Sequence, residues 1–189
     1  MRVIEGNLWE QNGCVGIPTN GKVGSSGAAI MGRGVARQAL GRCPGIDREL
    51  GLLIQDNGNI VQMIRPFLFA FPSKHNWWET SDLQLIERSV SQLADMADEM
   101  PEEMFYIPLP GVGNGKLDPR DVWPLMVDLP MNVTIVVRSI DSVGFRAEIL
   151  SGVKFMNPWD RRKLLDEDLP GAFCMACGGP PRCHCQNDL

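Results

Sequence analysis

Phe71-Pro-Ser-Lys-His-Asn-Trp77, followed at a distance by Pro110-Gly-Val-Gly-Asn-Gly-Lys-Leu-Asp118, decides how this chain folds. The first stretch leaves an apolar run, Phe67-Leu-Phe-Ala-Phe71, which reads as a strand. After Ser81-Asp82, a helix N-cap signal, the residues Leu83, Ile86, Val90, Leu93 and Ala97 recur at helical spacing. Phe105-Tyr-Ile107 then reads as a further strand, and the glycine stretch follows it directly. A lysine at one strand end and a glycine-rich turn at the next can face a common cleft. Such a cleft suits an anionic, phosphate-bearing ligand beside a nucleophilic amine.

Working outward, Val3-Ile4 and Cys14-Val-Gly-Ile17 read as two early strands, and Ile60-Val-Gln-Met-Ile64 precedes the Phe67–Phe71 strand across a turn at Arg65-Pro66. Val133-Thr-Ile-Val-Val137 is the last strand. Gly34 to Leu40 reads as a short helix. A third helix runs from Pro119 to Val127, its proline at the first turn where no N–H is needed, and Asp118 stands ahead of it as a cap. Strands alternating with helices over about residues 1–140 predict an α/β layered domain. The predicted domain covers residues 1–150, and residues 151–189 form a charged, then cysteine-dense, C-terminal extension.

Composition narrows the classes. At 189 residues and 44% hydrophobic, the chain suits one domain with a real core. A net charge of -5 argues against general nucleic-acid binding, which needs a basic face. The first residues, Met1-Arg-Val-Ile-Glu-Gly-Asn-Leu-Trp9, hold no apolar signal-type run, and no run is long enough to span a bilayer. The expectation is a cytoplasmic protein without a membrane partner. In a reducing compartment, cysteines point to metal or free thiols before disulfides. Cys174-Met-Ala-Cys177 and Cys183-His-Cys185 form CxxC, five residues, then the less common CxC, which points to a small structural zinc knuckle at 174–185, the alternative being a flexible, thiol-rich terminus.

Two glycine loops carry the ligand argument. Gly24-Ser-Ser-Gly-Ala-Ala-Ile-Met-Gly-Arg-Gly-Val35 joins the second strand to a helix, and Gly111-Val-Gly-Asn-Gly115 follows the Phe105 strand. Glycines allow backbone N–H groups close to a ligand, and a helix N-terminus favours a diphosphate. Neither loop is a dinucleotide fingerprint, because Arg37 occupies the third glycine position after Gly32 and Gly34. The second is not a P-loop, because Leu117 stands where Ser or Thr would meet magnesium. Lys74 is the candidate nucleophile, with Phe71, Trp77 and Trp78 as apolar surroundings and His75 for proton transfer. Asn20, just past the second strand, can reach a ribose hydroxyl.

Glu5-Gly-Asn-Leu8, Ile17-Pro-Thr-Asn20, Met31-Gly-Arg-Gly-Val-Ala36, Phe71-Pro-Ser-Lys74 with Trp77 and Ser81, and Ile107-Pro-Leu-Pro-Gly-Val-Gly-Asn-Gly-Lys-Leu117 together resemble the macro domain, a family of ADP-ribose-binding modules. The lysine-bearing pattern is similar to the branch of terminal ADP-ribose glycohydrolases and of antitoxins that strip ADP-ribose from DNA bases. The resemblance implies a three-layer α/β/α sandwich with a central mixed sheet, extended here by the cysteine-rich tail. It implies that Asn7 stands where an acidic residue meets the adenine amino group, and that Asn20 faces the distal ribose. Gly32, Gly34, Gly111, Val112, Gly113 and Asn114 would wrap diphosphate and distal ribose, with Leu8, Arg33, Val35 and Gly115 completing the binding set. Lys74 would attack the anomeric carbon C1″, release the modified group and leave an adduct for water to resolve, with no cofactor for catalysis. Some glycohydrolases of this branch carry an aspartate where Gly115 stands, which keeps a non-catalytic ADP-ribose reader, or a phosphatase acting on ADP-ribose 1″-phosphate, as alternatives. The implied partner is ADP-ribose or an ADP-ribosylated DNA base or protein side chain.

Overall fold

A computed structural model describes residues 1–139. The expected boundary at residue 150, the 151–189 extension and the candidate zinc ligands Cys174, Cys177, Cys183 and Cys185 lie outside the described residues. In order come β1 (Arg2–Glu5), a 3-10 turn (Leu8–Glu10), β2 (Cys14–Asn20), α1 (Gly34–Arg42), α2 (Ile46–Asn57), β3 (Gln62–Arg65), β4 (Leu68–Lys74), α3 (Leu83–Glu99), β5 (Phe105–Pro108), α4 (Pro119–Met126) and β6 (Val133–Val137). The strands form one mixed sheet in the order β1-β6-β5-β2-β4-β3. All neighbouring pairs are parallel except β3 with β4, an antiparallel edge pair joined across the Arg65-Pro66 turn.

The apolar runs of the central strands follow from this arrangement. A parallel strand covered on both faces has no solvent side, so it reads as a continuous run and not as an alternation. Every residue of Val133-Thr-Ile-Val-Val137 is buried accordingly. Along β4, Ala70 joins Ile17 and the α1 and α2 residues Ala36, Ala39, Ile46 and Leu50 in one cluster. Its neighbours Phe69 and Phe71 point to the opposite face by strand alternation, and Phe69 meets Phe105 edge-to-face at 5.8 Å between ring centroids. That face is left to α3, which packs on β4 and against α4.

The α3 stripe differs from the expected one. Ile86, Leu93 and Ala97 are buried, but Leu83 is exposed and the other inward positions are Leu85 and Ser89. Counting apolar residues alone cannot find Ser89, whose buried hydroxyl donates to the Pro72 carbonyl oxygen at 2.9 Å. The cap is at Asp82, whose carboxylate accepts from the Gln84 and Leu85 amides at 2.8 and 3.2 Å. Those amide bonds, Leu85 first, hold its carboxyl below the usual aspartate range despite some desolvation, with His75 also lowering it. Asp82→Ala is expected to cost about 1 kcal/mol in urea unfolding. Because the folded pKa is depressed, this contribution is present above the unfolded aspartate pKa and fades as pH falls through the folded one, so the mutant and wild type converge in acid.

No helix was expected where α2 fills the stretch between Pro44 and Gly58. Gly51 in its middle lowers helix propensity by about 1 kcal/mol relative to alanine. Its reason is tertiary: a Cβ there would overlap the Gly27 carbonyl oxygen, and Ala29 donates its amide to the Asp47 carbonyl at 2.7 Å. The helix is thus the bed on which the first glycine loop lies. No helix among the described residues is long and apolar enough to cross a membrane.

Candidate functional site

The three central parallel strands β2, β4 and β5 each carry a proline near the carboxyl end: Pro18, Pro72 and Pro108. Proline donates no ladder hydrogen bond, so its place is where pairing stops. Between Thr19 and Asn20 the register with β4 also slips. At this edge a cleft of about 280 Å³ opens, walled by both glycine loops and by Lys74. A second hollow of about 470 Å³ adjoins it, with Val35 and Pro108 common to both.

The first loop is pinned, not loose. Asn20 donates its side-chain amide to the Ile30 carbonyl at 2.8 Å and accepts from the Lys22 amide at 3.0 Å. A bridge between Val23 and Ala29 folds the loop back on itself, and Gly24 donates its amide to the Ala28 carbonyl at 2.8 Å. The loop delivers Gly32, Arg33 and Gly34 to the cleft and runs into α1, whose N-cap position, Arg33, makes no side-chain capping bond. The first-turn N–H groups therefore face the cleft without a capping side chain, and the helix dipole adds partial positive charge there. An anion fits this end. Gly34 has φ +58°, and a Cβ built on it would sit 3.0 Å from Asn114 Nδ2. Gly34→Ala is expected to lose about 1–2 kcal/mol of stability, read from the urea midpoint, because an L-residue is strained in that conformation.

The second loop is built tightly around glycine. Gly111 has φ +76°, its carbonyl accepts from the Leu117 amide at 3.1 Å, and the Gly115 carbonyl accepts from the Ser81 amide at 2.9 Å. Gly115 is buried, and a Cβ on it would overlap the Gly111 carbonyl oxygen and Ser81 Oγ. The absence of an acid at this position is a property of the whole loop. Asp118 serves as the α4 cap, accepting from the Arg120 amide at 2.9 Å.

Lys74 emerges half-buried from the end of β4. Its Nζ donates to the Glu79 carbonyl at 2.7 Å and to the Asn114 carbonyl at 2.8 Å, tying the segment after β4 to the second loop. Burial pushes its pKa below the usual lysine value. The positive charges of Lys116 and Arg33 push it the same way, against the opposing pull of Glu79. A lowered pKa makes the neutral, nucleophilic amine more accessible at moderate pH.

Of the residues expected at the site, Asn20, Gly32, Arg33, Gly34, Lys74, Gly111, Gly113, Asn114 and Gly115 line the cleft, and Asn7 and Leu8 line the hollow. Val35 lines both, whereas Val112 lines neither. Asn7 first serves its own turn: its oxygen accepts from the Trp9 amide at 3.1 Å and its amide donates to Glu10 at 2.8 Å, leaving one lone pair of the oxygen for a ligand. Three expected neighbours of Lys74 stand elsewhere. His75 lies 3.2 Å from the Asp82 carboxylate and outside the cleft lining. Phe71 is fully buried in the core, and Trp78 leans on the edge of Trp77 at the exposed rim; Trp77 does line the cleft. β4 ends at Lys74, and the chain bends at His75.

Sequence reasoning missed the hollow's far wall. Trp9 donates its indole N–H to Gln38 at 2.7 Å and carries the Arg42 guanidinium 4.8 Å from its ring centroid, while Arg138 follows β6. Gln38 and Arg42 are four apart on α1 and share a face, but the expected helix ended at Leu40 and left Arg42 outside it.

A six-stranded mixed sheet with the glycine loops and the lysine at its carboxyl edge defines an α/β domain, and the solved structures similar to it give it the macrodomain fold. No protein-family model and no curated protein matches the chain. Among solved structures, it is similar to the macrodomain of Mycobacterium tuberculosis DarG, with 21% identity over 71% of this chain and 95% of that one, at a TM-score of 0.58. It is similar likewise to the macrodomain of Thermus aquaticus DarG, with 24% identity over 73% and 97% and a TM-score of 0.55. A third is Thermosipho africanus DarTG in complex with ADP-ribose, at 17% identity and TM-score 0.55, where the match covers 71% of this chain and 40% of the other.

Proposed function

We propose that this chain binds ADP-ribose and hydrolyses it from a modified macromolecule, a DNA base or a protein side chain, with Lys74 as nucleophile. The observation that carries the reading is the presence of Lys74, its pKa lowered by burial and by the charges of Lys116 and Arg33, in the same cleft as the uncapped start of α1. The diphosphate takes the α1 N-terminus and the amides of Gly111 to Gly115. The adenine enters the adjoining hollow beside Asn7 and Leu8, and the distal ribose turns toward Asn20 and Lys74.

Neutral Lys74 attacks C1″ of the distal ribose. The bond from C1″ to the modified group breaks, its electron pair leaves with that group, and the group takes up a proton. Water then adds its oxygen at C1″, the C1″–Nζ bond breaks, and Nζ recovers its electron pair and a proton. One water is consumed, ADP-ribose and the restored macromolecule leave, and no cofactor enters the sequence.

The two carbonyl bonds of Nζ favour a second reading, a non-catalytic ADP-ribose reader, because an ammonium satisfied by carbonyl oxygens is not a nucleophile. Calorimetric titration with ADP-ribose, paired with a hydrolysis screen over ADP-ribosylated DNA and protein, separates them. Binding with release of ADP-ribose supports the hydrolase, binding without release on any linkage supports the reader, and no binding sinks both.

A further inference from the structure

Ser81 stands just before the Asp82 cap of α3 and lines the cleft with Lys74 and Gly115. It is only 6% exposed, and its Oγ has no hydrogen-bond partner. The contrast with the other buried serines is direct: Ser73 donates to the Thr19 carbonyl at 3.3 Å and Ser89 to the Pro72 carbonyl at 2.9 Å. Asn59 carries the other unpartnered buried side-chain oxygen among the described residues, and it lines neither the cleft nor the hollow. A buried hydroxyl left unpaired is costly, so this one calls for a partner that the protein itself does not supply.

The neighbourhood tells what the partner is. Ser81 Oγ occupies the place that a side chain at position 115 would take, so the hydroxyl is the polar group this loop offers where a loop carboxylate is sterically barred. Ser81 lines the cleft, and a ligand there meets the hydroxyl once χ1 turns to another of its staggered wells. A neutral hydroxyl that both donates and accepts matches a sugar hydroxyl and carries no charge for a phosphate. We infer that Ser81 is a ligand-binding residue whose hydroxyl pairs with a hydroxyl of the ribose held beside Lys74. This rests on the ADP-ribose reading of the cleft.

The test is calorimetric titration of ADP-ribose, and of ADP, which lacks the distal ribose, into the full chain and its Ser81→Ala variant, with a melting curve for each protein. The variant is expected to bind ADP-ribose about tenfold more weakly, the loss of one hydrogen bond, with the Kd for ADP unchanged and Tm equal to or above wild type. Removing an orphan hydroxyl relieves the fold, whereas removing a structural one lowers Tm. Equal ADP-ribose affinity in the two proteins would overturn the assignment, as would a parallel loss for both nucleotides with a lower Tm, which marks a loop support. A wild type that binds neither nucleotide would overturn the reading of the cleft itself.

Discussion

On the proposed hydrolase reading, Lys74→Ala is expected to abolish release of ADP-ribose, with kcat down on the order of a thousandfold or more, and to leave ADP-ribose binding within about fivefold of wild type. The two effects separate because diphosphate contact is assigned to backbone amides, at the α1 start and in the second loop, and not to the lysine. Losing a half-exposed cation beside an anion removes at most about 1 kcal/mol of affinity. Losing the nucleophile removes the reaction path. Lys74→Arg is expected to be as inactive as alanine, since a guanidinium keeps the charge but does not deprotonate at working pH. The pH profile follows from the direction of the shift. Burial and the charges of Lys116 and Arg33 lower the Lys74 pKa, so the neutral fraction grows at a lower pH than for a free lysine. The rate therefore rises with pH and levels off below the ordinary lysine value of 10.5. Rapid-quench assays across pH check this, and turnover by the alanine variant equal to wild type would remove Lys74 from the mechanism.

Installing at position 115 the aspartate that the resemblance places there in some glycohydrolases does not improve this protein. Gly115→Asp is expected to destabilise it by about 1–3 kcal/mol and to weaken ADP-ribose binding at least tenfold. A Cβ at that position overlaps the Gly111 carbonyl oxygen and Ser81 Oγ, and the nearer obstacle is backbone, which cannot turn aside as a side-chain tip can. The second loop must open, and with it go the Leu117 and Ser81 amide bonds that set its shape. Gly115→Ala gives most of the same loss, because the offending atom is the Cβ and not the carboxylate. Chemical unfolding and titration of both variants check the pair; an aspartate variant as stable as wild type, with faster turnover, would show that the loop has room after all.

How much of this was legible beforehand varies with the physics of each element. β2, β4, β5 and β6 were plain in the chain because strands covered on both faces must be apolar throughout. Asp82 and Asp118 announced the starts of α3 and α4 because capping is a local bond between a side chain and amides two or three residues on. The missing helix α2 shows the opposite case. Gly51 weakens the local helical signal, and its reason lies in Gly27, far away in sequence but touching in space. Ser89 and Leu85 likewise belong to the α3 core for reasons that sit on β4 and not on the helix.

The site divides in the same way. The order of residues already says which groups are on offer: a lysine after an apolar strand, two glycine loops at strand ends, and no acid at position 115. Those are matters of local chemistry, since glycine accepts the positive φ of Gly34 and Gly111 with the least strain and a lysine supplies an amine. Only the tertiary structure decided how they are used. It turned His75 away to Asp82, set Lys74 Nζ between carbonyls from two segments, closed the second loop over Gly115 and left the Ser81 hydroxyl without a partner at the cleft. Each depends on distances between segments far apart in the chain, and such distances are fixed by packing, which no local pattern of residues encodes.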